Sequence, residues 1–503
     1  MVWPFGGEGS STGIGKRADS GPEITPAAGW CALHSPAPGG CDWASWWCAV
    51  YPAELTGRKV AILGAGREGI SVLRYLRNLD PSRALTLVDE RIPAPEVREQ
   101  MSSADELLVV SLDDTGLDDF DVLIRSPGVS PYRRAVQSAI DAGAKVVSPS
   151  TLWFAAHPEA RTICITGTKG KSTTSSLLAH VLKSCGLTVR LAGNIGRPLL
   201  DCDDRGVDWW VIELSSYQLA DLEAKPDISA LLNLSPEHLD WHGSEAVYFA
   251  DKLRLAGLAD DRTLVVNAAD PVLTAAVAFR EGTVWFNQPG AISARGRKLF
   301  SGDRELEAGD LPGLPGHHNL SNAAAALTIA QAVGVPLEDA VRSLHEYRAL
   351  PHRLQLLGES GGVRFINDSI SSTPVATAAA LESLQGETVT LIVGGLDRGV
   401  DWSPYMIRFR QFPPVAVIGI PDSGERVIGD LAQHGIEPES GLHSARNLED
   451  AIRLARSVTP VGGTVLLSPG SPSFPQFHDY RDRGRRFARI CGFELAGEEP
   501  GER

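Results

Sequence analysis

The segment Gly167-Thr168-Lys169-Gly170-Lys171-Ser172-Thr173 combines glycine, lysine and hydroxyl side chains in an order suited to phosphate. Glycines let main-chain N–H groups close on an anion, and a helix start adds its dipole. Lys171 would reach the terminal phosphates of a nucleoside triphosphate, and Ser172 or Thr173 would hold Mg²⁺. The full P-loop pattern has a glycine at position 165, where this chain has Ile165. An ordinary Gly-rich turn is the plainer alternative. The β-branched run Thr162 to Thr166 before the turn and the helical run Ser172 to Lys183 after it favour phosphate binding.

Other residues could serve the same chemistry. Glu213 closes the apolar run Trp209 to Glu213, where P-loop enzymes often place an acid that holds Mg²⁺ directly or through water. His238, in Leu234 to Asp240, suits a metal or a substrate, although a lone loop histidine is more often merely exposed. Lys252 falls in a helical pattern, Tyr248 to Leu255, and that pattern alone reads it as a solvated face residue. Asn319 and Asn322 share a helix face at i, i+3, to cap the helix or to grip the triphosphate. Arg353 is placed to clamp phosphate at a domain joint, and Asp368 ends a strand toward the cleft. A second turn, Gly64-Ala65-Gly66-Arg67-Glu68-Gly69, matches GxGxxG, with Asp89 a further 20 residues along. It indicates a nucleotide near a helix start without saying which.

These turns need strands to present them. From Lys59 the pattern alternates strand and helix: strands at Lys59 to Leu63, Leu85 to Val88 and Asp121 to Ile124. A second series from Arg161 has strands at Trp209 to Leu214, Ile228 to Leu234 and Thr263 to Asn267, with helices at Glu245 to Ala256 and Asn319 to Val333. A third has strands at Val363 to Ile366, Thr388 to Val393, Pro414 to Ile418 and Thr464 to Leu467, with helices at Val375 to Leu384 and Leu448 to Ser457. The expected fold is α/β with three domains: a Rossmann-like domain at 55–150, a central P-loop ATPase domain with a parallel sheet at 151–349, and a C-terminal Rossmann-like domain at 350–495. The joint is expected near Pro351.

The 503 residues fit about three domains at ~150 residues each. No apolar run is long enough to span a membrane. The net charge of −15 argues against a general nucleic-acid binder. Seven dispersed cysteines lack metal-ligand spacing and read as reduced thiols in a cytoplasmic protein. Residues 1–54, rich in Gly, Pro, Ser and Trp, are expected to be a disordered N-terminal extension. A start codon placed too early is the alternative, because folded-looking sequence begins near Leu55.

In this order the motifs resemble one family, the Mur ligases of peptidoglycan synthesis, from about Leu55 to Gly492. They are GTKGKST, Gly193-Asn194-Ile195-Gly196, ELSSYQL from Glu213, Asn233 to Asp240, Lys252, HHNLSNAAAA from His317, His352-Arg353, Asn367-Asp368-Ser369, GGLDRG from Gly394 and LLSPGSPSFPQF from Leu466. ELSSYQL, GGLDRG and the last motif are similar to the glutamate-adding branch.

The resemblance implies that Gly64, Gly66, Arg67, Asp89 and Arg91 bind the UDP of a nucleotide-sugar, with Ser126, Pro127, Gly128, Asn194 and His238 on its muramoyl-peptide side. Gly167 to Thr173, Asn319, Asn322, Arg353 and Asp368 would serve ATP. Ser172, Thr173, Glu213, His238 and a carbamylated Lys252 would serve Mg²⁺, and Lys171, Glu213, His238, Lys252 and Arg353 catalysis. Ile370, Ser372, Arg398, Ser473, Phe474 and Tyr480 would form the glutamate pocket. The implied reaction activates the carboxylate of UDP-N-acetylmuramoyl-L-alanine as an acyl phosphate, which the amine of glutamate then displaces. A cytoplasmic monomer is implied, with small molecules as partners.

Two departures bear on the amino acid. D-glutamate-adding relatives typically read NDSKAT where this chain has Asn367-Asp368-Ser369-Ile370-Ser371-Ser372, so a lysine becomes Ile370. Ser473-Phe474-Pro475 replaces the usual Ser-Leu-Asp. Losing a charge beside the pocket should change how a dicarboxylate sits. NDSISSTP is similar to a subgroup that adds L-glutamate, in a pathway where an epimerase acts downstream. An NAD-dependent oxidoreductase would leave the P-loop and Glu213 unexplained. An NTP-gated binding protein would not need Lys252, Asp368 and the C-terminal cluster together. A folylpolyglutamate synthetase would lack the first domain's fingerprint.

Overall fold

The computed structural model describes residues 52–495 apart from 94, 279, 297, 310, 312, 315, 316 and 349. Residues 1–51 of the expected extension lie outside the described residues. The described chain opens with a 3₁₀ turn, Pro52–Leu55, whose Leu55 is buried. No described helix is long and apolar enough to cross a membrane.

Each of the three series folds around its own sheet. The first has β1 Val60–Leu63, β2 Thr86–Asp89, β3 Glu106–Val109, β4 Val122–Arg125 and β5 Lys145–Val147, in the order β3-β2-β1-β4-β5. All its pairs are parallel. β1 and β4 are buried throughout, as helix-covered parallel strands must be. The order reverses between β1 and β4, and a ligand crevice forms at the carboxyl ends of such strands. Gly64 leaves β1 there and Ser126 leaves β4, with Ser126 Oγ donating to Gly64 O at 3.0 Å. A Cβ on Gly69 would lie 1.9 Å from Gly64 O. Glycine therefore lets helix Arg67–Leu79 sit against the turn.

The central sheet has β6 Thr162–Thr166, β7 Val189–Gly193, β8 Trp209–Glu213, β9 Ile228–Leu231, β10 Thr263–Asn267 and β11 Val284–Phe286, in the order β11-β10-β9-β6-β8-β7. Its pairs are also parallel. β6 lies in the interior, so the turn after it opens at the middle of the sheet edge. The expected strand Ile228 to Leu234 stops at Leu231, because Leu232 to Ser235 leave the sheet to wrap the phosphate turn. Leu232 N still donates to Thr166 O, and Asn233 O accepts from Thr168 N at 2.9 Å. A small antiparallel sheet, β12 Ile292–Arg295, β13 Lys298–Ser301 and β14 Arg304–Leu306, follows and was not expected.

The C-terminal sheet has β15 Gln355–Ser360, β16 Val363–Asn367, β17 Val389–Gly394, β18 Ala416–Ile420, β19 Leu442–Ser444 and β20 Thr464–Leu467, in the order β15-β16-β20-β17-β18-β19. Only β15 runs antiparallel, against β16. β16, β20 and β17 are adjacent, so the loops that follow them meet at one end of the sheet.

Candidate active site

The phosphate turn is built from a buried strand. β6 delivers Gly167, and helix Lys171–Ser184 starts directly after Gly170, whose φ is +81°. A Cβ on Gly170 would lie 2.3 Å from Asn322 Oδ1, so only glycine fits. Asn322 thereby lies against the turn, and its Nδ2 donates to Asn319 Oδ1 at 3.1 Å. Lys171 folds back onto the turn, its Nζ donating to Gly167 O and Thr168 O, both at 3.0 Å. Burial pulls its ammonium below the ordinary value, against the opposing charges of Glu213 and Glu237. Thr168 faces inward to Ser235 O and the Tyr248 hydroxyl. Lys169 is pinned by Asn233 and ion-paired with Glu237.

Lys252 overturns the reading drawn from its helical pattern. It is 2% exposed on helix Glu245–Leu258, and its Nζ donates to Gly167 O at 2.9 Å. Burial, reinforced by the Lys171 charge, holds its pKa well below the ordinary lysine value. Half-buried Lys171 and buried Lys252 thus share one carbonyl oxygen of the phosphate turn.

Glu213 ends β8, level with Ile165 on the neighbouring β6. Its Oε1 accepts from Asn194 Nδ2 at 2.7 Å. Its Oε2 is buried without a partner. An unsatisfied buried carboxylate oxygen is costly unless something positive meets it. No group of three or more His, Cys, Asp or Glu among the described residues forms a ready-made metal cage. Glu213 with Ser172 or Thr173 fits Mg²⁺, which takes few protein ligands and completes its shell with phosphate and water. His238 has a φ of +55° and precedes helix Leu239–His242. Its ring lies 5.1 Å from that of Tyr217. Burial lowers its pKa, and the Lys171 and Lys252 charges act in the same direction.

A cleft of about 480 Å³ lies between the central and C-terminal domains. Seven of the eleven expected ATP residues line it: Lys169, Gly170, Thr173, Asn319, Asn322, Arg353 and Asp368. Gly167, Thr168, Lys171 and Ser172 belong to the same turn but do not line the cleft. Arg353 Nη2 donates to Ser172 Oγ at 3.4 Å, and its Nε is buried without a partner. Asp368 is buried and accepts from Ser371 Oγ, Ser468 Oγ and Leu354 N. Burial pushes its pKa up to about 6.

A separate cavity of about 400 Å³ opens at the first sheet. Gly64, Gly66, Arg67, Asp89, Arg91, Ser126, Pro127, Gly128 and Asn194 line it, nine of the ten expected nucleotide-sugar residues; His238 does not. Asp89 uses both oxygens on main-chain N–H groups, Ala65 at 2.7 Å and Arg91 at 2.9 Å, so it shapes the turn. Arg133 joins the lining unforeseen. A larger cavity, about 690 Å³ around Arg161, Cys185 and Trp209, opens at the other end of the central sheet and holds none of these groups.

The expected glutamate residues come from the loops after β16, β17 and β20. Ile370 N donates to His352 O, and Arg398 Nη2 donates to Ser372 O at 3.3 Å. Ser473 is buried, whereas Phe474 is 64% exposed. Tyr480 opens helix Tyr480–Cys491, and its carbonyl accepts from Ser369 Oγ. Sequence reasoning missed Arg483 on that helix. Fully buried, it donates to Ser369 Oγ, Ser369 O and Ser471 O, tying these loops together. Burial lowers its pKa to about 9. No local pattern distinguishes it from the exposed arginines around it.

Two family matches cover much of the chain: the Mur ligase middle domain at residues 165–330 and the Mur ligase MurD-like N-terminal domain at 58–148. The chain is 42% identical over 458 residues to a protein of Xanthomonas axonopodis pv. citri named UDP-N-acetylmuramoyl-L-alanine–L-glutamate ligase, covering 88% of this chain and 97% of that one. Proteins of the same name from Xylella fastidiosa and a Micromonospora species are 41% and 36% identical, over 88% and 87% of this chain and 97% of each. Among solved structures, a MurF ligase from Thermotoga maritima in complex with ADP superposes with a TM-score of 0.56 at 17% identity, over 86% of this chain and 93% of that one. UDP-N-acetylmuramate-alanine ligase MurC from the same organism gives 0.54 at 20%, over 86% and 99%. These two support the three-domain fold. Relatives of this similarity over nearly the whole of both chains establish that the chain belongs to the Mur ligase family.

Proposed function

We propose that this chain is an ATP-dependent ligase that joins L-glutamate, through an amide bond, to UDP-N-acetylmuramoyl-L-alanine in peptidoglycan precursor synthesis. The cluster at Gly167 carries the reading. Half-buried Lys171 and buried Lys252 both donate to its carbonyl oxygen, and Glu213 Oε2 is buried without a partner. With the Lys171 side chain and the helix start facing it, such a turn is equipped to stabilise charge on a triphosphate. The relatives' names supply the acceptor and the amino acid.

In this reading the first-domain cavity holds the nucleotide-sugar and the interdomain cleft holds ATP. Lys171 and Arg353 hold the γ-phosphoryl group while the substrate carboxylate attacks it and ADP leaves, and the glutamate amine, losing a proton, then displaces phosphate from the acyl phosphate. Glu213 and Ser172 or Thr173 would hold Mg²⁺, which would supply charge neutralisation during phosphoryl transfer. Burial of Lys252 favours its uncharged form; as the free amine it would add to carbon dioxide and lose a proton, giving a carbamate able to serve as an anionic oxygen ligand. Closure of the C-terminal domain excludes the water that would hydrolyse the acyl phosphate. Ile370, apolar where D-glutamate-adding ligases carry lysine, supports the L enantiomer.

Phosphate release in the presence of ATP and Mg²⁺ tests the reading. It is expected only with both UDP-N-acetylmuramoyl-L-alanine and glutamate, and faster with the L form. Release independent of the acceptor sinks the ligase. Equal or better turnover with D-glutamate rejects the L assignment and leaves the ligase standing.

A further inference from the structure

Tyr132, Asp251, His242 and Ser216 form one hydrogen-bonded chain that none of the roles above uses. Tyr132 Oη donates to Asp251 Oδ1 at 2.6 Å, His242 Nδ1 lies 2.6 Å from Asp251 Oδ2, and His242 Nε2 lies 3.0 Å from Ser216 Oγ. A carboxylate only accepts, so Nδ1 carries a proton, and in the neutral ring Nε2 accepts from the serine hydroxyl. Ser-His-Asp is also the order of an acyl-transfer triad. Here Ser216 is 2% exposed and His242 3%, so no carbonyl can reach the hydroxyl and a nucleophile is excluded.

The four residues come from four different pieces of the site. Tyr132 ends the loop that begins with Ser126 to Gly128 at the first-domain cavity. Ser216 opens a short helix three residues after Glu213. His242 closes the helix that begins after His238. Asp251 immediately precedes Lys252. Aromatic contacts reinforce the arrangement: Trp241 Nε1 donates to Gly128 O at 3.3 Å, and Tyr217 stacks on Trp241 at 4.3 Å between ring centres. A buried polar chain holds as a unit, because in a low dielectric an unpartnered member is costly.

We propose that Tyr132, Asp251, His242 and Ser216 are positioning residues that couple occupancy of the nucleotide-sugar cavity to the placement of Glu213, His238 and Lys252 at the triphosphate turn. The proposal rests on the ligase reading. A substrate that settles the Ser126 to Tyr132 loop settles Asp251, and with it the helix that carries Lys252. Coupling of this kind is a reciprocal change in affinity between two sites.

Calorimetric titration of a non-hydrolysable ATP analogue with Mg²⁺, with and without UDP-N-acetylmuramoyl-L-alanine, measures it. In the wild type the nucleotide-sugar is expected to tighten analogue binding roughly 5-fold or more, the lower end of common coupling. Tyr132→Phe and His242→Gln are expected to reduce the factor below about 2-fold while each ligand alone binds within about 2-fold of wild type. The double variant loses nothing further, since the two act through one chain. Thr459→Val breaks a buried hydroxyl pair with Thr390 in the C-terminal domain and keeps the wild-type factor. Should His242→Gln fail to fold, Tyr132→Phe, which removes one hydroxyl, decides. Coupling unchanged in the variants, or a wild-type factor near one, overturns the proposal and leaves the ligase intact. A wild type that gives no heat with the nucleotide-sugar overturns the ligase reading and the coupling together.

Discussion

The two domain joints are made differently. Between the first and central domains, Arg125 and Asp221 form a fully buried bidentate pair, Nε to Oδ2 at 2.8 Å and Nη2 to Oδ1 at 2.7 Å. Arg125 also donates to Tyr217 O at 2.9 Å. Between the central and C-terminal domains, the contact at the phosphate turn is Arg353 to Ser172 at 3.4 Å, beside an open cleft of about 480 Å³. The connecting turn there holds His352 and Leu354 at φ values of +63° and +42°. A buried charge pair must stay assembled, because opening it strands both ions. A long hydrogen bond beside an open cleft can lengthen or shorten at small cost. The first joint therefore reads as a fixed platform and the second as a hinge.

The largest effect that can break this contrast lies at Asp221. Asp221→Ala leaves Arg125 buried and unpaired and is expected to lower stability by about 3–5 kcal/mol in denaturant unfolding. Replacing both partners with apolar residues of similar volume should recover most of the loss. Arg353→Ala should do the reverse. Its unfolding is expected within about 0.5 kcal/mol of wild type, while turnover drops about 10²–10³-fold, as when one donor to a developing oxyanion is removed. If Arg353→Ala destabilised the protein as much as Asp221→Ala, the second joint would be no hinge.

Asp368 sharpens the contrast from the C-terminal side of the cleft. Its pKa is raised from 3.8 to about 6 by burial. A carboxyl raised in the folded state favours folding below its unfolded pKa, and that contribution disappears as pH climbs through the folded value. The contribution of Asp368 to stability should therefore fall between about pH 4 and pH 6, by about 3 kcal/mol for a shift near two units, read as the difference between wild type and Asp368→Asn. Asp368→Asn removes this dependence, so it should unfold at higher denaturant than wild type at pH 7.5 and show no advantage at pH 4. Its activity should drop, since the carboxylate faces the cleft. An equal stability difference between wild type and Asp368→Asn at the two pH values would contradict the assignment.

The fixed joint was hidden in the sequence and the site beside it was largely visible, for a physical reason. A strand, a glycine turn and a helix are contiguous, so Gly64 to Gly69 and Gly167 to Thr173 carry their own geometry. Arg125 and Asp221 are 96 residues apart, and nothing local to either announces the other. Lys252 shows the same limit within one residue: its helix was legible, but the buried face was decided by packing against Gly167. β15 and the β12–β14 meander escaped notice because short strands with mixed burial lack a clear period. Arg483 was lost among exposed arginines of its own helix.

The smallest effect probes what makes the platform fixed. Arg74 and Asp201 also bridge the first and central domains, and Arg74 Nη1 reaches Gln100 Oε1 at 2.9 Å. Here the side chains remain 44% and 19% exposed, against none for Arg125 and Asp221. Water screens such a pair and competes for its hydrogen bonds, so Arg74→Ala is expected to cost about 0.2–1 kcal/mol, and less in high salt. Both pairs join the same two domains, so connectivity alone would give them equal weight. Burial sets them apart: the removed partner at Asp221 leaves a charge that water cannot reach, whereas Asp201 is simply rehydrated. Equal losses for Arg74→Ala and Asp221→Ala in the same unfolding assay would mean that the platform owes its rigidity to the number of contacts rather than to the desolvated pair.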